Sequence, residues 1–126
     1  MTKKKFALAQ IAPYYKDPRT CGVDGSRCVY LTPDGRMCVA GKNMIDPSKW
    51  LGTIGGILSK YDQSEVFKPE VVDILTTQEW RTLQLLHDKI GMVSHGVVRD
   101  EIIKLYITEL NLFSLEELEE YSKTLA

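Results

Sequence analysis

The chain has 126 residues, 44% hydrophobic and 26% charged, the balance of an ordinary folded domain, so wholesale disorder is excluded. No apolar run approaches the ~18 residues of a membrane span, and Phe6 to Ile11 behind Lys3-Lys4-Lys5 is too short and mixed for a signal peptide. The expectation is one cytoplasmic domain over residues 1–126, with residues 1–5 as a flexible tail. The net charge of −1 hides an asymmetry. Residues 1–63 carry ten Lys/Arg against five Asp, and residues 64–126 carry six Lys/Arg against twelve Asp/Glu. Such a division lets the two halves attract each other as they pack, or orients the molecule towards a partner. The basic residues are spread singly after Lys5 without interleaved aromatics, which argues against nucleic-acid binding.

In chain order, Phe6 to Ile11 has helical composition, and Pro13 is expected to end that helix. Residues 14–26 read as loop. Pro33-Asp34-Gly35 has the chemistry of a tight turn, and the flanking segments predict a β-hairpin over about 27–41 with Thr32 paired to Arg36. In that register Cys28 and Cys38 are diagonal neighbours on one face, Tyr30 faces Cys38, and Cys28 faces Ala40. Asp46-Pro47 is a helix-start pair, but Gly52, Gly55 and Gly56 weaken any helix over 47–60. Thr76 and Glu79 form a capping box for a helix reaching Gly91, with Trp80, Leu83, His87 and Ile90 along one face. Val98, Ile102, Leu105, Tyr106 and Leu110 make a second stripe. Ser114 and Glu117 cap a third helix, apolar at Leu115, Leu118 and Leu125 and acidic at Glu116, Glu117, Glu119 and Glu120. The predicted fold is α+β, mostly α, with one hairpin packed against three or four helices.

Four constellations could carry chemistry. Cys21, Cys28, Cys38 and His87 have the ligand types of a structural zinc site, although the C-x6-C and C-x9-C spacings match no zinc finger. The competing reading makes them buried small hydrophobes and a core histidine, with no cofactor. A Cys28 or Cys38 nucleophile with His87 as base and Asp88 as orienter is disfavoured, because adjacent side chains on a helix diverge by about 100°. Gly52-Thr53-Ile54-Gly55-Gly56 permits close approach of an anion but lacks the Lys-Ser/Thr of a phosphate-binding P-loop. Tyr14, Tyr15, Trp50 and Tyr61 fall outside periodic stripes and are candidate partner anchors, with Glu116, Glu117 and Glu120 as an acidic second surface. No catalytic residues are expected.

Cys28-Val29-Tyr30, Pro33-Asp34-Gly35-Arg36-Met37-Cys38-Val39-Ala40-Gly41 and Ile45-Asp46-Pro47, followed by Leu83-Gln84-Leu85-Leu86-His87-Asp88, carry a resemblance. They resemble a family of small, uncharacterised phage and prophage proteins with a C-x-Y…DG-x-x-C-A-x-G segment and a downstream L-Q-x-x-H-D helix. Val39-Ala40 inverts the family's order there, and Asp46-Pro47 replaces Pro-Asp. The resemblance implies a phage accessory protein in the cytoplasm of an infected bacterium, non-catalytic, that blocks a host protein. It also groups Cys28, Cys38, Gln84, His87 and Asp88 as one cluster. The alternatives are a protein that sequesters a small molecule or nucleotide, and a zinc-stapled structural module. Apolar faces on the last two helices could close a homodimer.

Overall fold

The computed structural model describes residues 2–24, 27–92 and 96–125, and their side chains except those of 23, 24, 27, 28, 92 and 96–99. The described chain is helical: α1 (Lys3–Lys16), α2 (Val39–Asn43), α3 (Ile54–Leu58), α4 (Gln63–Val66), α5 (Thr77–Met92), α6 (Gly96–Leu110) and α7 (Leu115–Lys123). Single 3-10 turns stand at Pro18–Thr20 and Pro47–Lys49. None of the described helices is long and apolar enough to cross a membrane.

α5 is the central element. Its Thr76–Glu79 capping box forms in both directions, at 2.8 and 3.1 Å, satisfying donors that the helix start leaves unpaired. Trp80, Leu83, Leu86, His87 and Ile90 are fully buried on its inner face. The Trp80 indole stacks on Phe67 with centroids 4.2 Å apart and meets the edge of Phe6 at 5.8 Å. Side chains of that size contribute roughly 1.5–3 kcal/mol each on burial, so this aromatic contact is a substantial part of what holds α1 and residue 67 to α5. α1, α2, α3 and α6 all pack on α5, and α7 covers α1.

The hairpin over 27–41 does not form, and the fold is helical rather than α+β. The tight turn is present: Thr32 N–H donates to the Arg36 carbonyl at 2.8 Å, and the Thr32 side chain accepts from Arg36 N–H at 2.8 Å. Pairing stops one step further out, at a lone Leu31–Met37 bridge. Cys38 is still extended but caps α2, its Sγ accepting from Gly41 N–H at 3.2 Å, and the chain turns helical from Val39. Val39-Ala40-Gly41 therefore lies in a helix, and Cys28–Ala40 and Tyr30–Cys38 are not strand partners. The reason is tertiary: Gln84 of α5 takes the free Ala40 N–H at 2.9 Å, so α2 satisfies its backbone against α5 instead of a neighbouring strand. The other extended pairing among the described residues is two antiparallel rungs, Val23–Cys28 and Asp24–Arg27, and a Met44–Phe67 bridge.

Three further expectations are corrected. Pro13 does not end α1, which runs on to Lys16; Pro13 is exposed and its carbonyl accepts from Asp17 N–H at 3.0 Å. A proline inside a helix deprives the carbonyl four residues back of its donor, a cost offset here by the burial of Phe6, Ile11 and Tyr14. Lys3, Lys4 and Lys5 form the first turn of α1 rather than a tail, with Lys3 on Glu79 at 2.8 Å and Lys4 on Glu117. Among the described side chains of α6 the buried stripe is Ile103, Ile107 and Leu110, while Leu105 is 70% exposed; the Val98 side chain lies outside the described residues. The charge asymmetry is in part internal: basic α1 lies along acidic α7.

Candidate functional site

Two adjoining features on α5 make up the site. The first is a buried polar network between α5 and the segment 21–41. His87 is fully buried, and its Nε2 accepts from Gly22 N–H at 3.0 Å. That bond places the ring proton on Nδ1, which lies 2.9 Å from Asp88 Oδ1 and donates to it. Gln84 Nε2 donates to the same Oδ1 at 3.0 Å while its own Oε1 holds Ala40 N–H. Adjacent side chains on a helix thus do meet, against the sequence argument, because Asp88 turns back along the axis towards Gln84. Tyr14 completes the setting: its ring meets His87 edge-on at 4.6 Å and its hydroxyl donates to the Met37 carbonyl at 2.7 Å. Burial pushes the Tyr14 hydroxyl well above its ordinary pKa, so it stays a donor.

The second feature is a cleft of about 570 Å³, within the range of small-molecule sites. Its floor is the outer face of α5, where Thr77, Gln78, Arg81, Gln84, Leu85 and Asp88 recur at helical spacing. One wall is Gly52 to Gly56, and the other is Val29 and Tyr30. The Tyr30 hydroxyl ties the walls together by donating to the Gly52 carbonyl at 2.7 Å. Gly52 sits at φ +93°, a conformation that favours glycine, and Thr53 Oγ1 turns the loop into α3 by accepting from Gly56 N–H at 3.0 Å. Arg81 lies across Gly55, its Cδ 3.2 Å from where a Cβ would stand. The guanidinium has no ion-pair or hydrogen-bond partner among the described residues. Asp88 brings the opposite charge; Oδ1 is taken by Gln84 and His87, and Oδ2 has no protein donor among the described residues.

The structure therefore brings Gln84, His87 and Asp88 together beside the α2 cap, Cys38. The Cys28 side chain lies outside the described residues. Cys38 is fully buried, and burial pushes its thiol up to about 12, which leaves no thiolate for nucleophilic work. Among the described residues no three His, Cys, Asp or Glu side chains converge as metal ligands. The Cys21 thiol faces the His87 carbonyl at 3.7 Å, while the ring nitrogens are engaged by Gly22 and Asp88.

The expected partner anchors divide. Tyr14 and Trp50 are buried, Tyr15 is half-buried with its hydroxyl 3.5 Å from Glu119, and Tyr61 is 46% exposed with its ring against Trp50 at 4.8 Å. Glu117 is drawn into the Ser114 capping box and held below the usual carboxylate range by Lys4, Glu120 pairs with Lys123 at 3.3 Å, and Glu116 faces solvent. Arg81, Thr77 and Gln78 escaped the sequence reading, which took from this side of α5 only Gln84, Leu85 and Asp88 and placed Tyr30 as a strand partner of Cys38. No family model, curated protein or solved structure matches the chain.

Proposed function

We propose that the chain is a non-catalytic binding protein that takes a small polar ligand in the cleft between α5 and the loop 52–56. The observation that carries this reading is Arg81, an exposed cation without a protein partner among the described residues, laid against Gly55 at the side of a 570 Å³ cleft. An unpaired guanidinium in a partly enclosed recess has little to gain from the fold itself and much to gain from an anionic ligand. The polar network beneath the cleft supports binding over turnover, because Gln84 and His87 spend their hydrogen bonds on the backbone of 22 and 40. Leu85→Trp places a large ring on the cleft floor and should leave the core untouched, since Leu85 is half-buried. Native mass spectrometry of the protein after incubation with a bacterial metabolite extract tests the reading. A retained small molecule that is lost in Leu85→Trp supports it. Retention of nothing by either protein, or equal retention by both, overturns it.

A second reading keeps the resemblance to phage proteins that block a host protein. It is favoured by Leu51, which is 86% exposed next to Gly52 at the cleft edge, and by exposed Tyr61. An apolar residue that open is more use to a partner than to the fold. The acidic helix is a weaker anchor for this role, because α7 is also needed to cover α1.

A further inference from the structure

Resting on the cleft reading, we propose that the ligand is a nucleotide, held with its phosphate at Arg81 and with an amino-bearing base edge on Asp88. The two charged side chains that line the cleft among the described residues are of opposite sign and lie two turns apart on the same face of α5, about 10 Å along the axis. The site is thus polarised end to end. An inorganic anion would use only the Arg81 end, and the α-ammonium and α-carboxylate of an amino acid are too close together to reach both. A nucleotide has this length and this division of chemistry, with anionic oxygens at one end and base N–H donors at the other.

Each end is built for its share. At the Arg81 end the arginine stem lies against Gly55, which has no side chain to displace it, and the planar guanidinium that lines the cleft suits a phosphate. The first backbone N–H groups of α5, at Thr77 and Gln78, add a favourable field there. At the other end Asp88 is an acceptor with one oxygen occupied and fixed, so its free Oδ2 has a set direction. A carboxylate accepts from an exocyclic amino group, as on adenine, cytosine or guanine, and is repelled by the two carbonyls flanking the single N–H of uracil. Leu85, Ile54 and Tyr30 supply apolar surface for the base between the two ends.

The test is calorimetric titration of the full chain with AMP, UMP, adenosine and inorganic phosphate, repeated on Arg81→Gln and Asp88→Asn. AMP should bind about tenfold more tightly than either UMP or adenosine, the worth of one hydrogen bond to a charged group. Arg81→Gln should bring AMP down to the adenosine level, and Asp88→Asn should bring AMP and UMP together. Asp88 also holds Gln84 and His87, so a thermal melt checks that Asp88→Asn is folded. If it is not, Gly55→Ala, which crowds only the Arg81 side chain, supplies the second variant and should weaken AMP but not adenosine. Equal affinity for AMP and UMP, or AMP binding indifferent to Arg81→Gln, overturns the nucleotide assignment. A different compound from the extract that is lost in Leu85→Trp overturns this inference alone and leaves the cleft reading standing. No binding of any compound overturns both.

Discussion

Gly41→Ala sets two effects of opposite sign against each other. Gly41 lies inside α2, where alanine is ordinarily better than glycine by about 1 kcal/mol. Yet a Cβ at this position would stand 2.9 Å from the Tyr30 carbonyl carbon and 3.1 Å from the Tyr30 Cα, and closer still to the Tyr30 oxygen. All three atoms are backbone, so no rotamer change relieves the crowding. Either α2 or the strip 29–30 must retreat by about 1 Å, which disturbs the Gln84–Ala40 bond and the Tyr30 tie to Gly52. Overpacking of this kind costs typically 1–3 kcal/mol and at times more. The net expectation is a loss of about 2 kcal/mol, or about 6–10 °C in Tm for a domain of this size. Gly35→Ala is the control, since nothing stands within 4 Å of its Cβ and its φ of +89° alone costs about 1 kcal/mol. Thermal and urea unfolding of both variants gives the answer. If Gly41→Ala equals or exceeds wild type in stability, α2 is not docked on residues 29–30, and the helical account of this segment fails.

Gln84→Leu should destabilise by about 2 kcal/mol, because the buried Ala40 N–H loses its acceptor; hydrogen exchange at Ala40 should accelerate, and an unchanged rate would remove the network from the account. Tyr14→Phe keeps the ring on His87 but loses the bond to the Met37 carbonyl, so chemical denaturation should show a loss of about 1 kcal/mol. Lys42 is half-buried, with its amine on the Gln10 carbonyl at 3.0 Å and over the Tyr14 ring; burial outweighs these contacts and pushes it down to about 8. A lysine whose folded pKa is lowered binds fewer protons folded than unfolded, so stability attributable to Lys42 should rise from about pH 8 towards its ordinary value near 10.5. The difference between wild type and Lys42→Met, measured across that range, should grow in favour of wild type; a flat difference contradicts the assignment. Cys38, with its thiol near 12, should resist iodoacetamide at pH 8 in the folded protein and react only on unfolding, as peptide mass spectrometry would show.

Local chemistry was readable wherever it was satisfied locally. Both capping boxes, at Thr76–Glu79 and Ser114–Glu117, form where the residue types placed them, as do the Asp46–Pro47 start and the turn at Thr32–Arg36. What could not be read was the outcome at Cys38, because a turn of that composition serves a hairpin and a strand-to-helix connection equally well. The choice is made by Gln84, 44 positions downstream of Ala40. Pro13 misled for a similar reason: propensity priced the proline, and tertiary burial of Phe6 and Tyr14 outweighed it. At the site, Gln84, His87 and Asp88 stood out in the sequence as a group. Arg81 did not, because a single exposed arginine on an amphipathic helix carries no mark of its own until the glycine loop is folded over it.

The pairing of α1 with α7 bears on how the molecule comes into being. α1 leaves the ribosome early, yet it packs against α7, a helix made about a hundred residues later, whose Leu118 and Ser122 are buried. Contacts of such sequence separation slow the search for the native state. During synthesis α1 must wait, with Phe6, Leu8 and Ile11 incompletely sheltered, until α5 and then α7 emerge. The ion pair of Lys4 with Glu117 can form only once α7 is made, so shortening the polypeptide within α7 should leave a less stable, more aggregation-prone product.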